Sequence, residues 1–368
     1  MKTQILSIGT AVPKNKISQN NILKFMTDAL NMNASENNKL AALYRSTGIS
    51  SRHSVLSDYN NSFEDFVFFP KNKSLDPFPT IGDRMDLYKK YALPLCVEAI
   101  TDCIDAIHFQ KKEITHIITV SCTGMYAPGL DIELVEELNL ATDTLRTAIN
   151  FMGCYAAINA LRVADYICKA NAKATILLVC VELCTIHFQK NKTEDNLLSN
   201  ALFADGAAAL LISNNKEEGS LSLSVEEMYS DMQLAGKKDM AWHIGDFGFE
   251  MILSSYVPDV IQQGIKKLCN KLLEKLPIEY KDIDFFAIHP GGKRILEVVE
   301  KELLLPKKAN FYAYQILSNY GNMSSSTVLF VLKEIWKNLN KADNQKTILS
   351  LAFGPGLTVE SALLKVNW

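Results

Sequence analysis

A weak internal repeat is the feature that most constrains how this sequence can fold. An apolar segment at 114–120 and a second at 283–288 each run into small and polar residues, and they begin 169 residues apart (283 − 114). Further along, Gly153-Cys154 and Gly321-Asn322 correspond at an offset of 168 (321 − 153). Landmarks that recur in order at nearly one offset indicate two similar halves within one chain.

Strand-like and helix-like patterns alternate within each half. The apolar stretches that begin at Thr175 and Thr347 correspond at an offset of 172 (347 − 175), and a helix-length segment precedes each of them. Alternation of buried strands with helices of about 15 residues predicts an α/β fold. We expect one half to span 1–215 and the other 216–368. Pseudo-twofold packing of these halves would bring their equivalent helix starts together in one pocket.

The composition argues against several classes of function. A chain of 368 residues with 48% hydrophobic and 21% charged residues is typical of a globular protein. Its net charge of −3, with Lys and Glu interspersed, argues against a nucleic-acid partner. The most apolar stretch, 174–184, carries Glu182 and is much shorter than a membrane span. Gly9 and Pro13 break the N-terminal apolar segment, which favours a first strand over a signal peptide, so we expect a cytoplasmic protein with reduced cysteines.

Three potential metal ligands, Cys180, Cys184 and His187, lie close together in the sequence. Cys180 falls within an apolar strand pattern, however, and none of the eight cysteines belongs to a C-x-x-C pair. The pattern therefore favours a buried strand over a zinc site, and we expect no metal.

Cys154 lies where an apolar, strand-like stretch turns into a helix rich in small residues. A thiol at a helix N-terminus is close to unpaired backbone N–H groups and to the positive end of the helix dipole, and both favour the thiolate. The thiolate is the form of cysteine that attacks acyl groups. A single cysteine of this kind is more often a small core residue, so its assignment as a nucleophile depends on its neighbours.

His289 and Asn322 each follow an apolar run and lie among small residues. An imidazole can hold Cys154 as a thiolate–imidazolium pair at neutral pH. The imidazole and the carboxamide can also donate hydrogen bonds to an enolate oxygen. A satisfied core histidine or a helix-capping asparagine would look similar in isolation, but the three residues together predict an acyl-transfer site.

Several motifs taken together resemble a known family. They are Gly153-Cys154, His289-Pro290-Gly291-Gly292, Gly321-Asn322-Met323-Ser324-Ser325 and Gly354-Pro355-Gly356, in this order and at similar spacing to those of the type III polyketide synthases, the chalcone synthase-like enzymes. The block at 79–85 resembles bacterial members in particular. The resemblance extends over essentially the whole chain.

The resemblance implies a thiolase-like, five-layered αβαβα fold built from two duplicated halves, a homodimer, and no metal or redox cofactor. It also implies the reaction, in which an acyl-CoA starter is loaded on Cys154, malonyl-CoA is decarboxylated, and the chain is extended by iterative Claisen condensation. Cyclisation to a pyrone or a resorcinol-type product would follow. The residues that this resemblance assigns to the substrate are Phe203, Met251, Cys122, Thr123, Cys184, Ile186, His187, Ser324, Gly354, Pro355 and Gly356.

The phosphates of CoA should meet Lys or Arg side chains at the mouth of a tunnel. The resemblance places the CoA-binding region of the family in this part of the sequence, where the candidate residues are Lys39, Arg45 and Arg52. Phe203 matches a family position that gates the passage from the CoA tunnel to the cavity, and Met251 stands where a second gating Phe is usual.

The cavity positions also depart from the plant pattern. Cys122 and Thr123 stand where Thr and Ser are common, and Cys184 stands where Thr is common. These softer groups favour a pocket for aliphatic chains, so we expect medium or long acyl-CoA starters to load faster than aromatic ones.

Two other enzymes and one non-enzyme are alternatives. A ketoacyl-ACP synthase III-like enzyme shares a Cys-His-Asn site and performs one condensation, but its histidine is normally followed by Gln-Ala-Asn, whereas His289 precedes Pro-Gly-Gly. A hydroxymethylglutaryl-CoA synthase would need an additional acidic base, which the sequence does not identify. A non-catalytic acyl-CoA-binding scaffold would not need Cys154, His289 and Asn322 together.

Overall fold

The structure is a computed structural model that describes residues 2–254, 257–274, 278–306 and 308–368. Strands and α-helices alternate through most of this part of the chain, as predicted. The strands are β1 (Gln4–Ala11), β2 (Asn15–Ser18), β3 (Ser51–Ser54), β4 (His116–Ser121), β5 (Leu145–Asn150), β6 (Thr175–Leu183), β7 (Asp205–Ser213), β8 (Ser222–Met232), β9 (Met240–Gly245), β10 (Gly248–Leu253), β11 (Phe285–Ile288), β12 (Thr347–Gly354) and β13 (Thr358–Asn367). The helices are α1 (Gln19–Ala29), α2 (Ala34–Ser46), α3 (Ile81–Asp105), α4 (Leu130–Glu137), α5 (Ala156–Ala170), α6 (Glu194–Leu202), α7 (Val257–Leu273), α8 (Lys293–Glu302), α9 (Phe311–Tyr320) and α10 (Thr327–Asn338).

One large sheet contains the strands of both halves. Its order is β11-β12-β13-β8-β1-β7-β6-β4-β5, so β4-β6-β7-β1 of the first half has the same order as β11-β12-β13-β8 of the second. The halves meet where β1 pairs antiparallel with β8, with Gln4 opposite Ser224 and Ile5 opposite Leu223. The predicted boundary at 215/216 falls between β7 and β8.

Helices α5 and α10 form a middle layer between the two halves. Helix α5 contacts β4 and β6 of its own half and β13 of the other, while α10 contacts β11 and β12 of its own half and β1 and β7 of the other. Helix α3 covers the first half from outside, and α7 covers β8 and β13 of the second half. These layers confirm the predicted α/β, thiolase-like fold.

Burial explains the strand sequences. Strands β6 and β7 are buried at every position, because helices cover both faces of the sheet, and their sequences are accordingly near-continuous apolar runs. Strand β5 is different, since it lies at the edge of the sheet and most of its residues are exposed or half-exposed. Leu145, at its start, is 61% exposed.

In the described ranges, no helix combines the length and the apolar character needed to cross a bilayer.

Candidate active site

Cys154 lies in a tight turn between β5 and α5. Gly153 has a φ of +85°, which favours glycine, and a Cβ added there would lie 2.3 Å from Cδ of Pro355. The turn continues into the helix through a hydrogen bond from the Ala156 N–H to the Gly153 carbonyl at 3.0 Å. Cys154 therefore precedes the first turn of α5, as predicted, and its side chain is 8% exposed.

Asn322 occupies the equivalent position before α10. Its backbone bridges to the segment after α6, since its N–H donates to Leu202 O at 2.9 Å and its carbonyl accepts from the Ala204 N–H at 2.8 Å. Its side-chain Nδ2 donates to Gly291 O at 3.1 Å, and its Oδ1 accepts from the Ser324 N–H at 2.9 Å. These contacts fix the carboxamide and leave its second N–H for the Cys154 sulfur or for a ligand bound beside it.

His289 follows directly after β11 and is 1% exposed. Its backbone N–H donates to Leu351 O at 2.7 Å. Neither ring nitrogen has a hydrogen-bond partner among the described residues, although both are buried. A buried imidazole without a partner costs free energy in the resting protein, so it marks a place where a reacting group binds.

The three predicted catalytic residues line one cavity of about 40 Å³. Its wall combines residues from both halves with the hairpin of β9 and β10. The lining residues are Cys122, Thr123, Gly153, Cys154, Cys184, Phe203, Met240, Trp242, Met251, Leu253, His289, Gly291, Ile295, Asn322, Ser324, Phe353 and Pro355. We call this space the catalytic cavity.

A second space, the inner cavity, adjoins the catalytic cavity and has a volume of about 50 Å³. The two share Cys184, Phe203, Trp242 and Met251, so Phe203 and Met251 lie at the passage between them. The inner cavity extends to β3, α1 and α6, and His187 is part of its wall.

Most of the residues predicted to contact substrate line one of these cavities. Ile186 is buried and does not belong to either lining. Gly354 lies behind the nucleophile, where an added Cβ would be 3.3 Å from Cys154 N and 2.6 Å from the Tyr155 ring. Gly356 has a φ of +120° and completes the turn into β13.

The three residues predicted to contact CoA differ in their exposure to solvent. Lys39 and Arg45 lie on α2 and are exposed. Arg52 is 3% exposed, and its guanidinium donates to Phe203 O at 2.6 Å and to Oε1 of Gln19 at 3.0 Å. Its assignment to a phosphate at a tunnel mouth is therefore wrong, because the side chain is buried beside the gating residue.

His187 has both ring nitrogens engaged. Its Nε2 donates to Thr123 O at 2.8 Å, and its Nδ1 accepts from the Phe249 N–H at 3.0 Å. The ring stacks on Phe249 with centroids 4.2 Å apart, and burial lowers its pKa to about 3. His187 thus fixes the β9–β10 hairpin against the cavity as a neutral imidazole.

Two residues of the site were missed by the sequence analysis. Trp242 lines both cavities and donates from Nε1 to Cys122 O at 2.7 Å.

Glu182 is fully buried and accepts from the Cys122 N–H at 2.9 Å, from the Thr123 hydroxyl at 2.9 Å and from the Ser325 hydroxyl at 2.5 Å. Glu182 therefore positions the Cys122–Thr123 loop and the turn after Asn322. A lone charge inside an apolar strand was the signal that could have identified it.

Burial dominates the electrostatics of Cys154 and His289. It raises the pKa of the Cys154 thiol to about 12, although hydrogen bonds from Ser324 and Asn322 favour the thiolate. It lowers the pKa of the His289 imidazole to about 3. Burial thus disfavours either charge alone, whereas proton transfer from thiol to imidazole creates opposite charges that attract strongly in a dry cavity.

Replacing His289 with glutamine is expected to slow alkylation of Cys154 by iodoacetamide at pH 7 at least tenfold. Without the imidazole, the thiol keeps a raised pKa, so its thiolate fraction grows about tenfold per pH unit and becomes substantial only in alkaline solution. The rate should be measured from pH 6 to 10, with His116→Gln as the control because His116 lies on β4 outside both cavities. Equal rates in wild type and His289→Gln would contradict the role of His289 as proton acceptor.

A thiolase-like fold that surrounds one buried cavity with a cysteine, a histidine and an asparagine is the arrangement of a condensing enzyme that acts on thioesters. Comparison with known proteins supports this class of enzyme. Residues 1–216 match the model of the N-terminal domain of chalcone and stilbene synthases, and residues 227–367 match the model of their C-terminal domain.

The chain is 32% identical to type III polyketide synthase A of Arabidopsis thaliana, over 99% of this chain and 93% of that protein. It is 28% identical to the alpha-pyrone synthesis polyketide synthase-like protein Pks18 of Mycobacterium tuberculosis, over 98% and 91%. Probable polyketide synthase 1 of Dictyostelium discoideum is 32% identical over 98% of this chain, which spans 11% of that longer protein. The crystal structure of PKS-I from the brown alga Ectocarpus siliculosus superimposes with a TM-score of 0.92 and 28% identity, covering 99% of this chain and 98% of that one. This protein belongs to the chalcone and stilbene synthase family, the type III polyketide synthases, and is an acyltransferase-type condensing enzyme.

Proposed function

We propose that Cys154 is loaded by an acyl-CoA starter and that the protein then extends this acyl group with several malonyl-CoA units. The observation that carries the proposal is the placement of Cys154, a partnerless buried imidazole and a fixed carboxamide around one cavity. Cyclisation to a pyrone or a resorcinol-type product would follow, and a relative named for alpha-pyrone synthesis supports the pyrone.

Loading begins when His289 takes the thiol proton and Cys154 attacks the thioester carbonyl, with CoA as the leaving group. The backbone N–H of Cys154 is the proposed donor to the oxyanion of this step. Malonyl-CoA then loses CO2, and the resulting enolate is stabilised by His289 and by the second N–H of Asn322. The enolate carbon attacks the acyl-enzyme, which forms the new carbon–carbon bond and releases the Cys154 thiolate.

These steps need the residues of the cavity and CoA thioesters as substrates, and we propose that no metal or redox cofactor takes part. CoA thioesters and eight unpaired, buried cysteines are both compatible with a cytoplasmic location.

We also propose a homodimer. Strand β5 supports it, because it is an exposed edge of the large sheet, carries an exposed Leu145 at its start and ends shortly before the turn that holds Cys154. Sedimentation equilibrium should give twice the mass of the chain, and a monomer at micromolar concentration would contradict the proposal.

The function is tested by incubating the protein with acyl-CoA and radiolabelled malonyl-CoA, then measuring labelled CO2 and the mass of the products. Release of CO2 together with products of two or more extensions is expected. One extension, and only when malonyl groups are supplied on an acyl carrier protein, would favour the ketoacyl-ACP synthase III-like alternative. Binding of acyl-CoA without CO2 release would favour the non-catalytic scaffold.

Starter preference gives a further expected result. The inner cavity has apolar groups from Ile17, Ile22 and Met26, and the passage includes the flexible Met251. Octanoyl-CoA should therefore load Cys154 faster than benzoyl-CoA or coumaroyl-CoA, measured by intact-protein mass against time, and the reverse order would contradict this preference.

A further inference from the structure

The catalytic cavity is lined by three cysteines, of which the proposed mechanism uses only Cys154. The other two are Cys122 and Cys184, and all three are free thiols in this structure. Cys122 directly follows β4 and Cys184 directly follows β6, so two neighbouring strands of the first half carry them to the cavity. A nucleophilic thiol that has other thiols beside it can be oxidised to a disulfide as well as acylated.

Cys122 is held against the turn that carries the nucleophile. Its Sγ accepts a hydrogen bond from the Gly153 N–H at 2.9 Å, and Gly153 directly precedes Cys154. The backbone N–H of Cys122 donates to Oε2 of Glu182 at 2.9 Å, and its carbonyl accepts from Nε1 of Trp242 at 2.7 Å. These contacts fix both the backbone and the sulfur of Cys122, so its thiol is kept beside the Cys154 turn.

The two thiols differ in reactivity. Burial raises the pKa of the Cys122 thiol well above its usual range, and the charges of Glu182 and of an ionised Cys154 raise it further. Because Coulomb interactions weaken with distance, the effect of Cys154 on Cys122 agrees with their placement in one part of the cavity. Cys122 therefore stays a neutral thiol, whereas Cys154 has His289 as a proton acceptor and is the first to react with an electrophile.

We propose that Cys122 is a resolving thiol, which forms a reversible disulfide with Cys154 when hydrogen peroxide oxidises the nucleophile. The Cys154 thiolate attacks one peroxide oxygen and the O–O bond breaks, which gives a sulfenic acid and hydroxide. The hydroxide takes the thiol proton back from His289 and becomes water. The Cys122 sulfur then attacks the sulfenic sulfur, and the hydroxyl group leaves with the Cys122 proton as a second water. The two sulfurs lose two electrons in total, and these electrons reduce the peroxide.

The disulfide protects the nucleophile from irreversible oxidation. A sulfenic acid that reacts with a second peroxide molecule becomes a sulfinic acid, which thiols do not reduce. The disulfide prevents this step and is returned to two thiols by exchange with a small thiol such as glutathione. Peroxide is smaller than the acyl-CoA that the proposed function brings to Cys154, so the same route admits it. A transient disulfide of this kind is compatible with a reducing compartment.

The test compares peroxide-treated wild type with Cys122→Ser and Cys184→Ser. In Cys122→Ser, a hydroxyl oxygen can still accept from the Gly153 N–H, so the turn keeps its contact while the resolving thiol is lost. Cys184→Ser is the matched control, because it removes the other additional thiol of the same cavity. After treatment, free thiols are alkylated in denaturant, and mass spectrometry of the digested protein identifies peptides linked through Cys154. Thermal unfolding checks that each variant is folded.

In wild type and in Cys184→Ser, the main oxidised product should be Cys154 linked to Cys122. Dithiothreitol should then restore octanoyl loading of wild type to within twofold of the untreated protein. In Cys122→Ser, sulfinic acid on Cys154 should rise at least fivefold over wild type. Dithiothreitol should restore at least fivefold less of its loading, relative to untreated Cys122→Ser.

The linked peptide of the wild type decides the question without any variant. Oxidised wild type in which Cys154 is linked to Cys184, carries only sulfenic or sulfinic acid, or stays reduced would overturn the role of Cys122. Equal recovery of wild type and folded Cys122→Ser after dithiothreitol would also overturn it. The linked peptide is detected without any CoA substrate, so this result and the release of CO2 from malonyl-CoA fail separately.

Discussion

Replacing Cys154 with alanine is expected to abolish covalent loading and to lower polyketide formation by at least about 10³-fold, because no other group of the proposed mechanism can carry the acyl chain. Intact-protein mass spectrometry after incubation with octanoyl-CoA should show an acyl adduct on wild type and none on Cys154→Ala.

Cys168→Ala is the matched control for this experiment. Cys168 lies on the same helix, α5, and is buried, but it is outside both cavities. It should load as wild type does. An acyl adduct of unchanged stoichiometry on Cys154→Ala would show that the nucleophile is another residue, and the mechanism proposed above would then be wrong.

Replacing Asn322 with aspartate is expected to lower decarboxylation of malonyl-CoA by 10²- to 10³-fold, about 3–4 kcal/mol of transition-state stabilisation. The carboxylate removes the N–H that faces the ligand and repels the enolate. It also faces Gly291 O, to which Nδ2 now donates at 3.1 Å. Release of labelled CO2 measures the effect, while octanoyl loading on Cys154 should persist.

Asn338→Asp provides the control for the change of amide to carboxylate. Asn338 ends α10, the helix that follows Asn322, and its Nδ2 donates to Glu334 O at 2.7 Å on the exterior. Its decarboxylation rate should equal that of wild type. If Asn322→Asp also decarboxylates at the wild-type rate, Asn322 has a structural role only.

The sequence predicted the parts of the fold that repeat. Strand ends followed by small residues located Cys154, His289 and Asn322, because a backbone that turns sharply beside a ligand needs small neighbours, and this need is visible in the residue types. The duplicated order of strands followed from the same landmarks. Local pattern was sufficient for these features.

The remaining parts of the site depend on long-range packing that local pattern does not record. Arg52 looked like a surface cation near α2, but β3 pairs with β2 and carries its side chain into the interior. Ile186 follows Cys184 in sequence, yet it is directed away from both cavities, and its carbonyl accepts from Arg84. Trp242 reaches the cavity from a separate hairpin, so no motif beside it in the sequence indicates that it belongs to the site.

The pairing of β1 with β8 has a consequence for how substrates move within the site. Because hydrogen bonds join the two halves into one uninterrupted sheet, the described parts of the two halves cannot swing apart without breaking this pairing. Movement of an acyl chain between the two cavities therefore needs rotamer changes of Phe203 and Met251, which line both of them. A bulkier residue at either position is expected to slow this movement without altering the sheet.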